Sequence, residues 1–338
     1  MMKIVGIGDL FIPAVYIEKG FAHMREKGWE VEVMDWPLKG FDELQNYNLL
    51  VETKGCQALQ PPQCVFDFCV DADVIITQFC TVTRELVDAC PKLKAIGVLR
   101  GGIENICKEY AEEKGIAVFN APGRNAESVS DFTVGMMISE SRNIARGHRG
   151  IMEHAWIRDY SNSGMIPDLP GRTVGIIGCG AIGMKVAHKL SGFDMKILGY
   201  DPYANAERCK KENIELVSLK ELMERSDFVS LHARLTEENH HLINAEMLSF
   251  MKPTAYLINT SRAGLIDEQA LVNVLREKKI AGAALDVYEH EPPAESDPLL
   301  TLDNVTLTPH MAGGSNDAFF NTPALLCERM KDWFAERE

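Results

Sequence analysis

The chain has 338 residues, 46% hydrophobic and 25% charged. This is the make-up of a globular protein, and it is longer than one core usually organises, so two domains with a cleft between them are expected. A formal charge of -14 and a pI near 5.2 argue against broad contact with nucleic acid or an anionic membrane, since both carry the same sign. No apolar run approaches the roughly 18 residues that cross a bilayer. The opening run MMKIVGIG, Met1 to Gly8, reads as a first strand rather than a secretory signal, so a cytoplasmic protein is expected. The nine cysteines form no CxxC pair; their irregular spacing suits buried thiols, and no metal site is assigned.

In the first third, strands are predicted at Lys3–Ile7, Val31–Met34, Val74–Thr77, Ala95–Val98 and Ala117–Phe119. Helices fall between them, among them Ala14–Lys27, Arg84–Ala89 and Glu104–Lys114. Short Val- and Ile-rich runs alternating with helical patterns argue for parallel sheets covered on both faces, an α/β class. After Pro122-Gly123, residues Asn125–Ile151 read as one long connecting helix with acidic residues in its early turns. Tyr160–Gly171 is loop-like. From Thr173 a second series follows, TVGIIG, MKILGYD, DFVSLH, AYLINT, AGAALDV and NVTLTPH, six strands in all, which is the count of a full dinucleotide-binding sheet. Past Gly313-Gly314 the chain turns back, and Asp317–Glu338 is helical in pattern and able to fold onto the first domain.

Gly178-Cys179-Gly180-Ala181-Ile182-Gly183 fits GxGxxG, and its context strengthens that short pattern. An apolar strand runs into the first glycine and a helical pattern opens at the last. Gly178 allows the tight turn, Gly180 the approach of backbone to pyrophosphate, and Gly183 the packing of helix on strand. The next strand ends in Asp201, about 20 residues on, where a carboxylate accepts hydrogen bonds from the adenosine ribose. A 2′-phosphate would be repelled there, and the nearest cation is Arg208, so NAD is the expected cofactor.

Reduction of a keto acid by hydride needs a cation for the carboxylate, a proton donor for the carbonyl oxygen and a group that tunes the donor. In doubly wound folds such groups lie past the carboxyl ends of strands. Strand AYLINT runs into Ser261-Arg262-Ala263-Gly264, placing a guanidinium there. Strand AGAALDV leads to Tyr288-Glu289-His290-Glu291-Pro292, where several polar groups compete for a role. The last strand ends in LTPH, at His310; His232 and His290 are the alternative acids.

The order GxGxxG, Asp201, NTSRAGLIDEQAL, GAALDVYEHEPP and LTPHMAGGS resembles the D-isomer-specific 2-hydroxyacid dehydrogenases, phosphoglycerate- and hydroxypyruvate-type members included. The resemblance implies two doubly wound, Rossmann-like parallel-sheet domains. One is a discontinuous, flavodoxin-like substrate domain of residues 1–122 and 315–338; the other is an inserted NAD domain of residues 123–314. It implies a triad in which Arg262 orients the substrate, His310 moves the proton and Glu291 holds and polarises the imidazole. It also assigns Ala181, Ile182, Asp201, Ala233, Thr260, Ser261, Asp286 and Gly313 to the NAD site, with Asp286 near the nicotinamide carboxamide. Its further implications are a small 2-hydroxy or 2-keto acid as ligand and a homodimer built through the connecting helix. An NAD(H)-sensing corepressor and a formate dehydrogenase are alternatives on the same fold; the latter typically has Gln where Glu291 stands.

The substrate loops depart from that pattern. An Arg-Ser-x-Thr type loop is replaced by Thr77-Gln78-Phe79-Cys80-Thr81-Val82-Thr83, and AGxGxDN by Leu99-Arg100-Gly101-Gly102-Ile103-Glu104-Asn105. Gln78, Phe79, Arg100 and Gly101 are therefore candidate substrate residues. Arg100 is expected either to supply a second cation for a substrate with an extra anionic or polar group, or to pair with Glu104 or a neighbouring acid.

Overall fold

The computed structural model describes residues 2–337, so Met1 and Glu338, which open the first expected strand and close the last expected helix, lie outside the described residues. The chain divides into two compact units, one running to Asn125 and resuming at Ser315, the other spanning Ala126–Gly314.

The first unit is a five-stranded parallel sheet of β1 (Lys3–Gly8), β2 (Glu30–Asp35), β3 (Val74–Thr77), β4 (Ala95–Val98) and β5 (Ala117–Asn120), in the order β2-β1-β3-β4-β5. Strands β3 and β4 are buried along their whole length, which is why they read as unbroken apolar runs rather than alternating ones. Val5, Ile75 and Ile96 feed the core on one face, and Ile4, Val74 and Ile76 the core on the other. That second face is covered by helices Ala14–Phe21 and Asn316–Arg329, the latter bringing Leu326 against Ile4 and Val74.

The second unit is a seven-stranded parallel sheet of β6 (Thr173–Ile177), β7 (Lys196–Tyr200), β8 (Ile214–Leu216), β9 (Phe228–Leu231), β10 (Tyr256–Asn259), β11 (Gly282–Leu285) and β12 (Val305–Leu307). Their order is β12-β11-β10-β9-β6-β7-β8, so the winding reverses between β6 and β9. Helix Ala126–Ser141 lays Met136 and Met137 onto Val174 and Ile176 of β6, while Leu222, Leu248 and Leu271 fill the opposite face.

Five expectations need correction. The helix expected at Ala14–Lys27 is two, Ala14–Phe21 and the single turn His23–Glu26, parted at Ala22. The second sheet has seven strands, not six; β8 is a three-residue edge strand with Glu215 at its centre, too short and polar to stand out. The connecting helix is broken into Ala126–Ser141 and Ile144–Met152 at Asn143, whose φ of 58° is left-handed, a conformation that Asn tolerates better than most residues. Asn143 is held there by Asn162 (2.8 Å) and Arg146 (2.9 Å). The helix expected at Glu104–Lys114 begins only at Lys108, because Asn105 and Cys107 hydrogen-bond to Val82 instead. Not all the cysteines are buried thiols. Cys56 and Cys107 form a disulfide, brought side by side where the segment after helix Phe41–Lys54 crosses the loop after β3 through the Thr81–Leu59 and Thr83–Gln60 hydrogen bonds; Cys64 is exposed.

Candidate active site

The glycine turn sits where the winding of the second sheet reverses. Gly178 follows β6 with φ +96°, and its N–H donates to Tyr200 O of β7. A Cβ there would lie 2.5 Å from Ala233 N, beyond β9, so the close strand crossing and the positive φ both require glycine. Gly180, by contrast, has nothing within 4 Å of the Cβ position, which leaves its backbone open to a ligand. Helix Ala181–Ser191 starts at that point, with Gly180 as its cap residue and no side chain capping its free N–H groups. The Asp201 carboxylate is fixed beside the turn, accepting from Cys179 N (2.9 Å) and Tyr203 N (2.8 Å). Thr260 is tied to Thr133 across 2.7 Å, and Ser261 to Asn259, so the loop after β10 is braced from both sides. Ala181, Ile182, Ala233 and Gly313 are at least partly accessible on the same carboxyl side. These residues fit a dinucleotide: an open glycine, free helix N–H groups and a carboxylate at the neighbouring strand end.

The other side of that edge carries the ionisable groups. His310 Nδ1 lies 2.7 Å from Glu291 Oε2, and Glu291 Oε1 accepts from Tyr288 N (3.1 Å), so the carboxylate is oriented by backbone before it meets the ring. The ring is half exposed. His310 has φ 49°, left-handed, and the loop that holds it there is pinned by Asp286. This fully buried carboxylate accepts from Thr308 Oγ1 (2.6 Å), Met311 N (3.0 Å) and Ala312 N (2.9 Å), bracketing His310 on both sides. Tyr288 Oη adds a bond to Thr308 O (2.9 Å). Arg262, after β10, is exposed; its backbone O accepts from Asn259 Nδ2 (2.9 Å) and its Nη1 donates to Ser261 O (2.7 Å).

The structure thus joins Glu291 to His310 directly and sets Arg262 on the adjacent strand end. His232 is partly buried, its Nε2 on Ser230 Oγ, and burial pushes its ring down to about 3, so it stays neutral and is no proton donor near pH 7. His290 is exposed, next to the residue that does reach His310. Sequence reasoning missed the part of Asp286 in holding the His310 loop; nothing in a strand-ending LDV announces three hydrogen bonds to a segment more than 20 residues on.

In the first unit, Arg100 is held by Glu52 (2.6 Å), Asn48 (2.8 Å) and Glu104 (3.5 Å), over the Phe79 ring at 5.0 Å. The acids claim the guanidinium, and two of its partners come from helix Phe41–Lys54, which the sequence reading left unassigned. Gly101 O accepts from Asn120 Nδ2 (2.6 Å), and Gln78 is buried.

A doubly wound sheet with a glycine turn at its switch point, and a carboxylate-held imidazole on the same edge, define an NAD-dependent oxidoreductase of the CH–OH group. The family model of the D-isomer specific 2-hydroxyacid dehydrogenase NAD binding domain matches residues 134–312. A D-3-phosphoglycerate dehydrogenase from Methanocaldococcus jannaschii is 41% identical over 263 residues, 77% of this chain and 49% of that one; the chain thus spans about half the length of that relative. A glyoxylate reductase from Korarchaeum cryptofilum is 39% identical over 262 residues, 77% of this chain and 79% of that one. The solved structure of a D-lactate dehydrogenase from Treponema pallidum matches with a TM-score of 0.75 at 26% identity, covering 99% of this chain and 97% of that one. The chain belongs to the D-isomer specific 2-hydroxyacid dehydrogenase family.

Proposed function

We propose that the protein interconverts small 2-keto acids and D-2-hydroxy acids, with His310 as acid–base, Glu291 as its holder and Arg262 as the carboxylate ligand. The contact of 2.7 Å between His310 and Glu291 carries this reading. Because Nδ1 is taken by the carboxylate, Nε2 is the ring nitrogen left to face a substrate oxygen. Bound NAD supplies the two-electron hydride chemistry at C2. During reduction His310 gives its Nε2 proton to the carbonyl oxygen, and in the reverse direction it takes the hydroxyl proton. Glu291 stabilises the charged ring in both directions. Arg262 offers a planar fork that matches a carboxylate and fixes the substrate against the imidazole. Gln78, Phe79, Arg100 and Gly101 belong to this reading as specificity residues of the first unit.

The same reading includes a homodimer through the second unit. Ile144, Ile151, Met152, Trp156 and Ile157, on helix Ile144–Met152 and the segment after it, are each more than half exposed, an apolar strip suited to a second copy. Light scattering on the purified chain checks it, and a monomer at micromolar concentration rejects it.

Glyoxylate, hydroxypyruvate, pyruvate and branched 2-keto acids, followed by NADH absorbance, test the activity. Turnover of at least one is expected, falling about 10²- to 10⁴-fold in His310→Asn. Tight NADH binding with no turnover on any acid overturns the reading in favour of a cofactor-sensing protein.

A further inference from the structure

His310 follows a strand with little to hold it. β12 is three residues long and stands at the end of its sheet, so β11 alone pairs with it, and Thr306 is its buried residue. Alternate side chains of a strand share a face, which gives Thr306 and Thr308 a common side, and helix Ala126–Ser141 packs there. Met136 and Glu140, four apart on that helix, meet them. Thr306 Oγ1 donates to Glu140 Oε2 (2.6 Å), and Thr308 Oγ1 lies 3.8 Å from Met136 Sδ. His310 N in turn donates to Thr308 O (3.0 Å).

Glu140 is fully buried, and its surroundings are shaped for it. A Cβ on Gly282 of β11 would lie 2.2 Å from Glu140 Oε1, so the carboxylate takes the room that a side chain there would fill. Arg146 closes on the acid with both ends of its guanidinium, Nη1 on Oε2 (2.8 Å) and Nη2 on Oε1 (2.7 Å), and Nη1 reaches Val305 O of β12 (3.5 Å). In an unbroken helix, residues six apart stand about 240° apart around the axis and about 9 Å along it, facing different ways. The break at Asn143 therefore turns Arg146 back over Glu140, and Asn143 Oδ1 accepts from Arg146 Nε (2.9 Å) to keep it there. Burial pushes Glu140 up to about 7 against the opposing pull of Arg146 and Thr306. A buried ion pair adds little net stability over apolar side chains of the same volume, so what this one contributes is geometry.

We propose that Glu140 and Arg146 are positioning residues for the proton transfer: together they clamp Val305 and Thr306 of the edge strand and, through Thr308, set where His310 stands against Glu291. Neither touches the reacting atoms. Asp286 pins the loop beyond the histidine, at Met311 and Ala312, whereas this clamp fixes the strand that precedes it. The Thr306 hydroxyl is the bond that joins strand to helix, and every residue involved lies in the second unit. The clamp's role rests on the reading of His310 as the acid–base group.

The test compares the full chain with Thr306→Val, Thr306→Ser and the double variant Glu140→Met/Arg146→Met, at pH 8, where Glu140 at about 7 is ionised. Thr306→Val keeps the shape and removes the hydroxyl. On a 2-keto acid that the wild type turns over, its kcat should fall about tenfold, while the Kd for NADH and the KM for the acid stay within about twofold. Thr306→Ser, which keeps the hydroxyl, should retain most of kcat. The double variant should melt within about 5 °C of the wild type and yet lose about ten- to a hundredfold in kcat. An NMR readout does not depend on turnover. In protein labelled with 15N-histidine, the His310 Nδ1–H proton, assigned by its absence in His310→Asn, should exchange with water at least about tenfold faster in Thr306→Val than in the wild type or Thr306→Ser. An unchanged kcat in Thr306→Val, or a Ser variant no better than the Val variant, would overturn the proposal. So would a loss of NADH affinity as large as the loss of kcat, the mark of a loosened unit and not of a displaced histidine. If no acid is turned over while proton exchange still separates Val from Ser, the oxidoreductase reading fails and the clamp stands.

Discussion

Replacing Asp286 by Asn alters one charge in a buried place and leaves the shape nearly unchanged. The carboxylate accepts three bonds of 2.6, 3.0 and 2.9 Å, from Thr308, Met311 and Ala312. An amide can keep its oxygen toward Thr308 and Met311, but its NH₂ then faces the Ala312 N–H, donor against donor. One charge-assisted bond is lost, a buried N–H is left unpaired, and the other two bonds weaken with the charge, about 2–4 kcal/mol together. In a unit of this size that lowers the melting temperature by about 5–10 °C. The loop it releases carries His310 in a left-handed conformation, so kcat should fall about ten- to a hundredfold as Nδ1 loses its register with Glu291. Calorimetry and NADH-linked kinetics on the same preparation decide. An Asn variant that melts like the wild type while losing activity would show that Asp286 acts on the ligand and not on the loop, and the reasoning would fall.

Three further substitutions probe other links. Gly180→Leu should fold normally, since its Cβ meets open space, but bind NADH at least about a hundredfold more weakly, whereas Gly178→Ala should fold poorly, with its Cβ driven into Ala233; isothermal titration and melting curves separate the two. His232 is neutral when folded and titrates near 6.5 when unfolded, so its contribution is present above that pH and is lost as pH falls toward about 3, by roughly 1.4 kcal/mol per pH unit. Asp9 and Glu140, raised by burial to about 6 and about 7, slope the other way, so the comparison of wild type with His232→Gln in urea at pH 7 and pH 5 isolates it: the variant should lose about 2 kcal/mol less. Cys56→Ser opens a link between residues 51 positions apart and should destabilise the first unit by about 2–4 kcal/mol, matched by reductant on the wild type; thermal curves indifferent to reductant would reject the link.

The parts of the molecule legible in the sequence are those whose signal is local. Gly178 to Gly183 and Asp201 are read from a strand, a turn and a spacing, and Arg262 and His310 from ending buried strands. What escaped depends on distant partners. The break at Asn143 needs Asn162 to be present, and the disulfide of Cys56 and Cys107 needs a loop crossing that no spacing encodes. Helix Phe41–Lys54 exposes Phe41 and Leu49, which blurs its apolar stripe.

Satisfied and unsatisfied polar groups are unevenly distributed between the two units. Glu291, His310 and Asp286 close on one another within the second unit, every carboxylate oxygen with a donor, on loops that follow adjacent strands β11 and β12. Such a network loses catalysis when any member changes, because each fixes the next. Asp9, Gln78 and Arg124 show the reverse, keeping free valences inside a packed sheet edge and bearing a standing cost in stability. Removing such a free valence, as in Gln78→Leu, should therefore raise the melting temperature of the first unit, whereas substitutions around Asp286 should lower that of the second.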